Sequence, residues 1–467
     1  IQNSGIKRYG ARMNIHHSTD RFNFGTNLNT SVVQDNFVPL GTGINIGAGV
    51  VGSAIQMDPV MPVRDADGNY TESQIQDLNN PVALANTTYH NLETNRTFGN
   101  AFAEYLISNN LSAKINFGSN RSVNRKDDYT SKVTELGQLN NGLAHIGQGE
   151  STDYLAELTL NYEAAIDEVH QVSAVAGYTY QVFVNRGFDA TARDFPTDAF
   201  QSNNLGAGDS EQFTQSSYKN KNQLLSWLGR VNYTFMDRYL ATVTFRVDGS
   251  SRFGRDNKYG YFPSAALGWR ILDEPFFPEL NLFSELKLRA SYGITGNQEI
   301  GNYNSIVLLG TAGDAIFDGG RHVSIAPSQL ANPNLKWETT RQFNVGLDFG
   351  LWEDRITGSM DYFINNTYDL LLNLPIPRTS GFNTSLQNVG DTENSGFEFM
   401  VDSRNLIGEF SWSTTFSFAT LQNRVTDLGG LPFILQGRQA FLSDFTILRE
   451  GDPINSYWGY QVEGIFQ

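Results

Sequence analysis

Between Phe343 and Asn365 the chain alternates strictly between two kinds of side chain. Phe343, Val345, Leu347, Phe349 and Leu351 occupy one parity, and Asn344, Gly346, Asp348 and Gly350 the other. After Glu353-Asp354-Arg355 the pattern resumes, with Ile356, Gly358, Met360, Tyr362 and Ile364 against Thr357, Ser359, Asp361 and Asn365. A period of two specifies a strand with one apolar and one polar face, and two such strands across a tight break form an antiparallel hairpin. Each arm keeps the pattern for roughly ten to sixteen residues, against about five or six for strands of water-soluble domains.

That length points to a bilayer. A strand tilted by about 45° crosses the hydrocarbon in roughly nine to eleven residues, and a transmembrane barrel turns its apolar parity to lipid and its polar parity to a wet lumen. The polar set is Asn, Asp, Thr, Ser and Gly, which the core of a soluble sandwich could not bury without partners. The apolar face therefore looks outward.

The same grammar recurs along the chain. Pairs are predicted at Lys7–His17 with Phe22–Ser31, Asn95–Ile107 with Leu111–Asn124, Asp153–Ala165 with Val169–Asp189, and Gln223–Phe235 with Arg238–Asp248. Tyr261–Ile271, Glu285–Thr295, Asn388–Arg404, Phe410–Val425 and a last strand from Ser456 to Gln467 complete a count of about fifteen. A short helix is expected within Ile44–Gln56. Long connections alternate with short ones, the pattern of extracellular loops and periplasmic turns, so the turns near Asp20, Asn109, Asp167, Asp237, Asp354 and Ile407 are expected to be periplasmic. Phe22, Phe24, Phe235, Tyr239, Phe349, Trp352, Phe410 and Trp412 lie beside these turns, as an interfacial aromatic girdle would.

Composition agrees with one large sheet rather than several domains. Gly 44, Phe 32 and Tyr 20 accompany Cys 0, which leaves no disulfide framework and no thiolate metal site. Mean hydropathy is −0.35, as expected when strands are only half apolar. The net charge of −16 argues against a nucleic-acid partner, because phosphate binding needs a basic face. IQNSGIKRYG carries neither a basic n-region nor an apolar h-region, so the sequence is expected to begin in mid-protein.

Motifs with chemistry are few. Asp65-Ala66-Asp67-Gly68-Asn69 resembles the start of a calcium loop, but Tyr70 and Gln76 stand where an EF-hand needs Gly and Glu, and a DG turn is the default. Gly41–Gly47 misses the dinucleotide spacing and reads as a flexible loop. His16 and His17 are adjacent on a strand and point to opposite faces, and neither they nor His90, His145, His170 and His322 form a paired-ligand motif. No GxSxG elbow occurs. No catalytic, cofactor or metal site is assigned, and the chain is not expected to be an enzyme. Tyr70, Tyr89, Tyr303 and Phe317, aromatic residues of long loops, are candidates for stacking on sugar faces, but packing within its own loop is the default for each and no substrate site is assigned.

The phrases KRYGARMNI, FNFGTNLN, MDPVMPVRDADGNY, FPTD with NNLG, RVNYTF with RYLATVTFRVDGSSRFG, GYFPSAALGWRI with EPFF, LKLRASYGITGNQEIGNY, NPNLKWETTRQFNVGLDFGL, NVGDTENSGFEF and GYQVEGIFQ occur in this order. Together they resemble the barrel of SusC/RagA-type TonB-dependent transporters of Bacteroidetes outer membranes. The resemblance implies an all-β antiparallel barrel of about 22 strands. It further implies a SusD-like surface lipoprotein as lid, coupling to TonB-ExbB-ExbD, and import of oligosaccharides or peptides. On this reading residues 1–467 are a partial barrel, with the carboxypeptidase-like domain, TonB box and plug before Ile1 and the closing strands after Gln467. A passive porin or adhesin remains the alternative, and a secreted all-β enzyme or binding module is disfavoured by the lipid-facing alternation.

Overall fold

The structure, a computed structural model, describes residues 3–38, 41, 49–73, 78–278, 282–437, 444–461 and 464. In chain order the elements are β1 (Gly5–Ser18), β2 (Phe22–Asn36), α1 (Gly49–Gln56), α2 (Pro81–Thr87), β3 (Thr88–Ser108), β4 (Leu111–Thr130), α3 (Glu135–Leu139), β5 (Leu143–Ala165) and β6 (His170–Arg193). Then follow β7 (Thr214–Phe235), β8 (Tyr239–Ser250), β9 (Tyr259–Arg270), β10 (Phe283–Asn297), β11 (Leu309–Phe317), β12 (Gly320–Pro327), β13 (Glu338–Leu351) and β14 (Ile356–Tyr368). The last are β15 (Leu371–Pro375), β16 (Thr384–Asn388), β17 (Asp391–Leu406), β18 (Trp412–Asp427), β19 (Ile434–Gln436), β20 (Thr446–Leu448) and β21 (Ser456–Tyr457).

Fourteen strands form one sheet, in the order β1 to β10, β13, β14, β17, β18. β11–β12, β15–β16 and β19–β20–β21 make small sheets in the connections. The chain divides into two compact units. The first comprises residues 1–104, 115–156 and 181–221, and the second residues 105–114, 157–180 and 222–467.

In the second unit the register joins like with like. One row runs Phe235, Tyr239, Trp269, Leu288, Leu347, Met360, Phe399, Phe418, each residue paired with the next. Five residues away on the same strands, and so on the opposite face, runs Arg230, Thr244, Ser264, Gly293, Gln342, Asn365, Asn394, Asn423. A slip of one residue on any strand would turn polar side chains such as Thr244, Arg289, Gln342 or Asn394 to lipid, so the hydrophobic pattern fixes the register. In the first unit β1 and β2 obey the same rule, Met13 facing Leu28 and Tyr9 facing Val32 on one side, Arg12 facing Asn29 and Asn14 facing Asn27 on the other.

Three expectations need correction. The main sheet holds fourteen strands, not fifteen, because the strand expected from Ser456 shrinks to β21, which pairs with β20 in a small loop sheet; residues 462–463 and 465–467 lie outside the described set. Several strands are longer than the pattern suggested: β3 has 21 residues, β5 23 and β6 24. Their distal parts have polar residues on both faces, so no alternation marks them. The connection after β4 shortens accordingly to residues 131–142 and contains α3. Finally, the long-short rule inverts locally, since the loop 251–258 is shorter than the connector 271–282, which lies on the side of the short turns. The expected helix is α1, while residues 42–48, including most of the glycine-rich stretch, lie outside the described set.

The tight turns explain two breaks that the residue types did not announce. Met236 and Asp237 both have φ of 54°, as a primed two-residue hairpin turn requires. Trp352, Glu353 and Asp354 likewise have φ of 52°, 55° and 61°. Beside the first turn Phe235 and Tyr239 stack at 6.0 Å, and Glu274 of the following connector accepts hydrogen bonds from the Tyr239 hydroxyl and from Trp269 Nε1 at 2.9 Å. Those hydrogen bonds, with Arg238 at 3.6 Å, hold the Glu274 carboxyl below its ordinary range.

Val243 is 58 % and Phe245 50 % exposed on the apolar face, with Thr244 between them on the polar one. In the complete barrel Val243→Arg should destabilise by about 2–4 kcal/mol near mid-bilayer, and Thr244→Arg by clearly less. A fluorophore at position 245 should be quenched strongly by a lipid-borne quencher and one at 244 weakly. Equal protection of both would place the apolar face against protein and refute the assignment.

Candidate functional site

The polar face carries charge in braced clusters. In the second unit, Arg289 of β10 reaches across β13, donating from Nε and Nη2 to the two Asp348 oxygens at 2.8 Å each and from Nη2 to Asp361 of β14 at 3.1 Å. Lys287 stands 3.8 Å from Asp348. The guanidinium passes over Gly346, where a Cβ would lie 2.4 Å from Asp361 Oδ1 and 2.8 Å from Arg289 Nη2. Glycine is therefore needed at this position for close approach, not for a turn. A cavity of about 580 Å³ lies higher on the same strands, with Thr242, Ser264, Ser291, Gln342, Asn365 and Glu398 among its lining.

In the first unit Glu150 of β5 accepts from Arg121 at 2.9 Å and from Arg186 at 2.7 and 3.0 Å. This part of the strand exceeds what the hydrocarbon needs, and the two guanidinia hold the Glu150 carboxyl down to about 2. A carboxamide ladder connects Asn27, Asn100 and Asn116 at 3.1 and 3.2 Å. Asp128 of β4 binds His90 Nδ1 at 2.8 Å and Lys126 at 2.6 Å.

Two loop anchors use the phrases that carried the resemblance. Phe195 and Tyr129 meet edge to face at 5.7 Å, Phe195 with no exposure. Asp198 accepts from the Tyr129 hydroxyl at 2.6 Å, the Ser131 hydroxyl at 2.7 Å and the Lys132 N–H at 3.3 Å. Burial raises the Asp198 carboxyl, but these donors outweigh it and leave it below its ordinary 3.8. In the second unit Leu335 and Trp337 of NPNLKW pack with Phe253, Phe262 and Ile300 into one buried cluster. Trp337 Nε1 donates to the Lys258 carbonyl at 3.0 Å, and Asn332 and Asn388 bind backbone across to β16 and back.

The sequence candidates separate. Tyr89, 36 % exposed, lines a cavity of about 720 Å³ bounded by the ends of β1, β2 and α2 and the start of β3. The Tyr70 ring is covered by Arg64 at 3.9 Å and its hydroxyl accepts from Asn86 Nδ2 at 3.4 Å, so it packs its own loop against α2. Phe317 sits on the β11–β12 hairpin, 6.1 Å from His322, and Tyr303 on a turn with φ of 69°. None of these three shares the cavity of Tyr89. The Asp65 carboxylate is occupied by its own turn, accepting from the Asp67 and Asn69 N–H groups at 3.0 and 2.8 Å, while Gln76 lies outside the described residues. His16 and His17 face Phe102 and Phe24, on opposite sides of β1.

An outward apolar face, an inward polar wall and a regular antiparallel meander define a transmembrane β-barrel protein. The chain belongs to the family described as TonB dependent receptor-like, beta-barrel, which matches residues 9–458. It is 35 % identical over its full length to TonB-dependent receptor P3 of Formosa agariphila, covering 47 % of that protein. It is 29 % identical to TonB-dependent receptor SusC of Bacteroides thetaiotaomicron over 92 % of this chain and 44 % of SusC. The fold superimposes on the RagAB peptide importer in its open-open state with a TM-score of 0.83 and 25 % identity, covering 97 % of this chain and 49 % of that one. The chain thus spans about half the length of the curated relatives it matches.

Gly346→Val should push the guanidinium out of its place between two carboxylates and cost about 1–3 kcal/mol in the complete barrel, measured by denaturant unfolding in lipid. An unchanged midpoint would show that the cluster contributes no stability. Because the Asp198 carboxyl is lowered on folding, its contribution is present above the ordinary value and is lost as pH falls below 3.8 through the lower folded value. The protection of residues 129–134 and 195–203 against hydrogen exchange, taken relative to the intrinsic rate at each pH, should therefore fall on acidification below that point, and in Asp198→Asn should be low at every pH.

Proposed function

We propose that this chain forms the wall of an active importer in a bacterial outer membrane, taking up oligosaccharides or peptides with energy delivered through TonB and with a SusD-like lipoprotein at its extracellular mouth. The carrying observation is the continuous polar row opposite a continuous apolar row, within a chain that belongs to a TonB-dependent receptor family. The inner wall offers carboxamides and hydroxyls, which exchange hydrogen bonds with a passing hydrated solute, and its arginines Arg289 and Arg186 are neutralised by the carboxylates they bind. Likeness to the RagAB peptide importer supports the peptide class, and the resemblance to SusC/RagA-type transporters supports the oligosaccharide class.

The test is uptake by the complete receptor in its own cells. Accumulation of labelled oligosaccharide or peptide should fall to background with a protonophore and on loss of TonB. A passive pore would keep its flux under both treatments, and that result would overturn active import.

A further inference from the structure

The cavity that contains Tyr89 has a chemistry that distinguishes between the two substrate classes. It is polar yet uncharged in one sense: its lining contains six carboxamide side chains, Asn3, Gln34, Asn36, Asn86, Asn91 and Gln201, and no aspartate or glutamate. Three of the six are cross-braced, Asn3 Nδ2 donating to the Ala85 carbonyl and Asn86 Oδ1 at 2.9 Å each and Gln34 donating to Glu93 at 3.2 Å. Among the described residues, the side chains of Asn36, Asn91 and Gln201 make no hydrogen bond, and the Thr88 hydroxyl in the same lining is buried without a partner. Of these groups only the Thr88 hydroxyl is buried, where an unmade hydrogen bond is costly; Asn36 and Gln201 are exposed and Asn91 half-buried, so their amides are open to a solute that enters the cavity.

The scaffold holds these groups still. Val38, Val50, Leu84 and Ala85 form a buried cluster beneath the cavity, and α2 is capped by Asn80, whose side chain accepts from the Val82 and Ala83 N–H groups. Gln201 is a non-glycine residue at φ 48°, ψ −135°, a strained backbone conformation. It lies three residues beyond Asp198, whose hydrogen bonds to Tyr129 and Ser131 fix the loop and can maintain the strain.

We propose that this cavity is a subsite for a neutral oligosaccharide, with Tyr89 as the stacking platform and Asn36, Asn91 and Gln201 as hydroxyl readers. The proposal rests on the import reading and refines it. A carboxamide offers donors and an acceptor at once, which matches a sugar hydroxyl that donates and accepts. The face of an aromatic ring carries negative charge density that attracts the C–H face of a pyranose. No carboxylate lines the cavity for a cationic peptide terminus, Glu93 and Asp128 behind it being engaged by Gln34 and His90, and an anionic sugar would find one lysine, Lys7. The site lies at the ends of β1 and β2 and the start of β3 remote from the short turns, which is the extracellular side, where incoming solute is first met.

The experiment uses the complete receptor in detergent, with saturation-transfer NMR and calorimetric titration. The probes are maltohexaose, laminarihexaose and mannohexaose as neutral chains, hexagalacturonate as an acidic chain, and a decapeptide with free termini. At least one neutral hexasaccharide should bind. Tyr89→Ala and Gln201→Glu should each weaken it tenfold or more without changing the melting temperature, and Tyr89→Phe should restore binding to within about twofold, since the ring face is kept. Preference for hexagalacturonate or the peptide, binding unaffected by Tyr89→Ala, or no binding of any neutral hexasaccharide at millimolar concentration would each overturn the subsite. Energised uptake that persists alongside such a result would leave import standing and remove only the subsite; uptake insensitive to the protonophore would remove import itself.

Discussion

Backbone hydrogen bonding is the constraint on which everything else in this molecule depends. In hydrocarbon no water is available to an N–H or C=O group, so each residue that crosses must be paired by a neighbouring strand. The fourteen-strand order meets that demand with consecutive antiparallel neighbours, interrupted only where β11–β12 and β15–β16 branch off in the connections. Once the backbone is satisfied, side chains are free to differ by face, and the alternation of Phe, Leu and Tyr with Asn, Thr and Gly follows from lipid on one side and water on the other. The small residues also shape the wall. Gly346 lets Arg289 lie flat against β13, and Gly396 leaves room for the Phe363 ring, which would meet a Cβ at 2.8 Å.

The sequence was legible where the environment is anisotropic. Every strand segment with lipid on one face, such as Tyr239–Val247 or Leu286–Ile294, carries a period of two that needs no structure to read. Beyond the bilayer both faces are wet, and the pattern vanishes although the strand continues. SNRSVNRKDDYT, the distal part of β4, has no apolar parity, yet it belongs to the same 20-residue strand. The opposite error occurred at Ser456, where SYWGYQ alternates over a short span but, among the described residues 456–461, only Ser456 and Tyr457 are in a strand, held by β20. Local pattern shows what a segment tolerates, and only pairing partners decide whether it extends.

The family phrases have physical meanings that differ from one another. FNFGTNLN and RYLATVTF are membrane strands, whose similarity to other barrels reflects the bilayer. FPTD and NPNLKW are loop anchors. In the first, Phe195 is buried under Tyr129 and Asp198 gathers three donors. In the second, Leu335 and Trp337 give the loops a buried core of their own, and a Cβ on Gly254 would lie 2.1 Å from the Pro333 carbonyl oxygen. Long extracellular segments otherwise have little to hold them, since loop closure and ordering are entropically unfavourable and polar residues bury little apolar surface. A few buried aromatics per loop, tied to strand ends by asparagine side chains, are a sufficient remedy.

The candidate site was legible only in its chemistry and not in its location. Loop tyrosines suit sugar stacking in principle, but residue type does not distinguish a ring that covers its own loop from one that faces a cavity. Tyr70 and Tyr89 illustrate the difference: the first lies under the Arg64 guanidinium, the second stands at the start of β3 where α2 ends. The remaining partners are dispersed, Asn36 on β2, Asn91 on β3 and Gln201 more than a hundred residues further on, and none belongs to a motif. What brings them together is the pairing that the backbone requires in the membrane, which aligns the strand ends, and the buried anchor at Phe195 and Asp198, which places Gln201. The recognition surface is therefore a consequence of structural features that have no contact with solute, and changes in either would alter binding without touching a single lining residue.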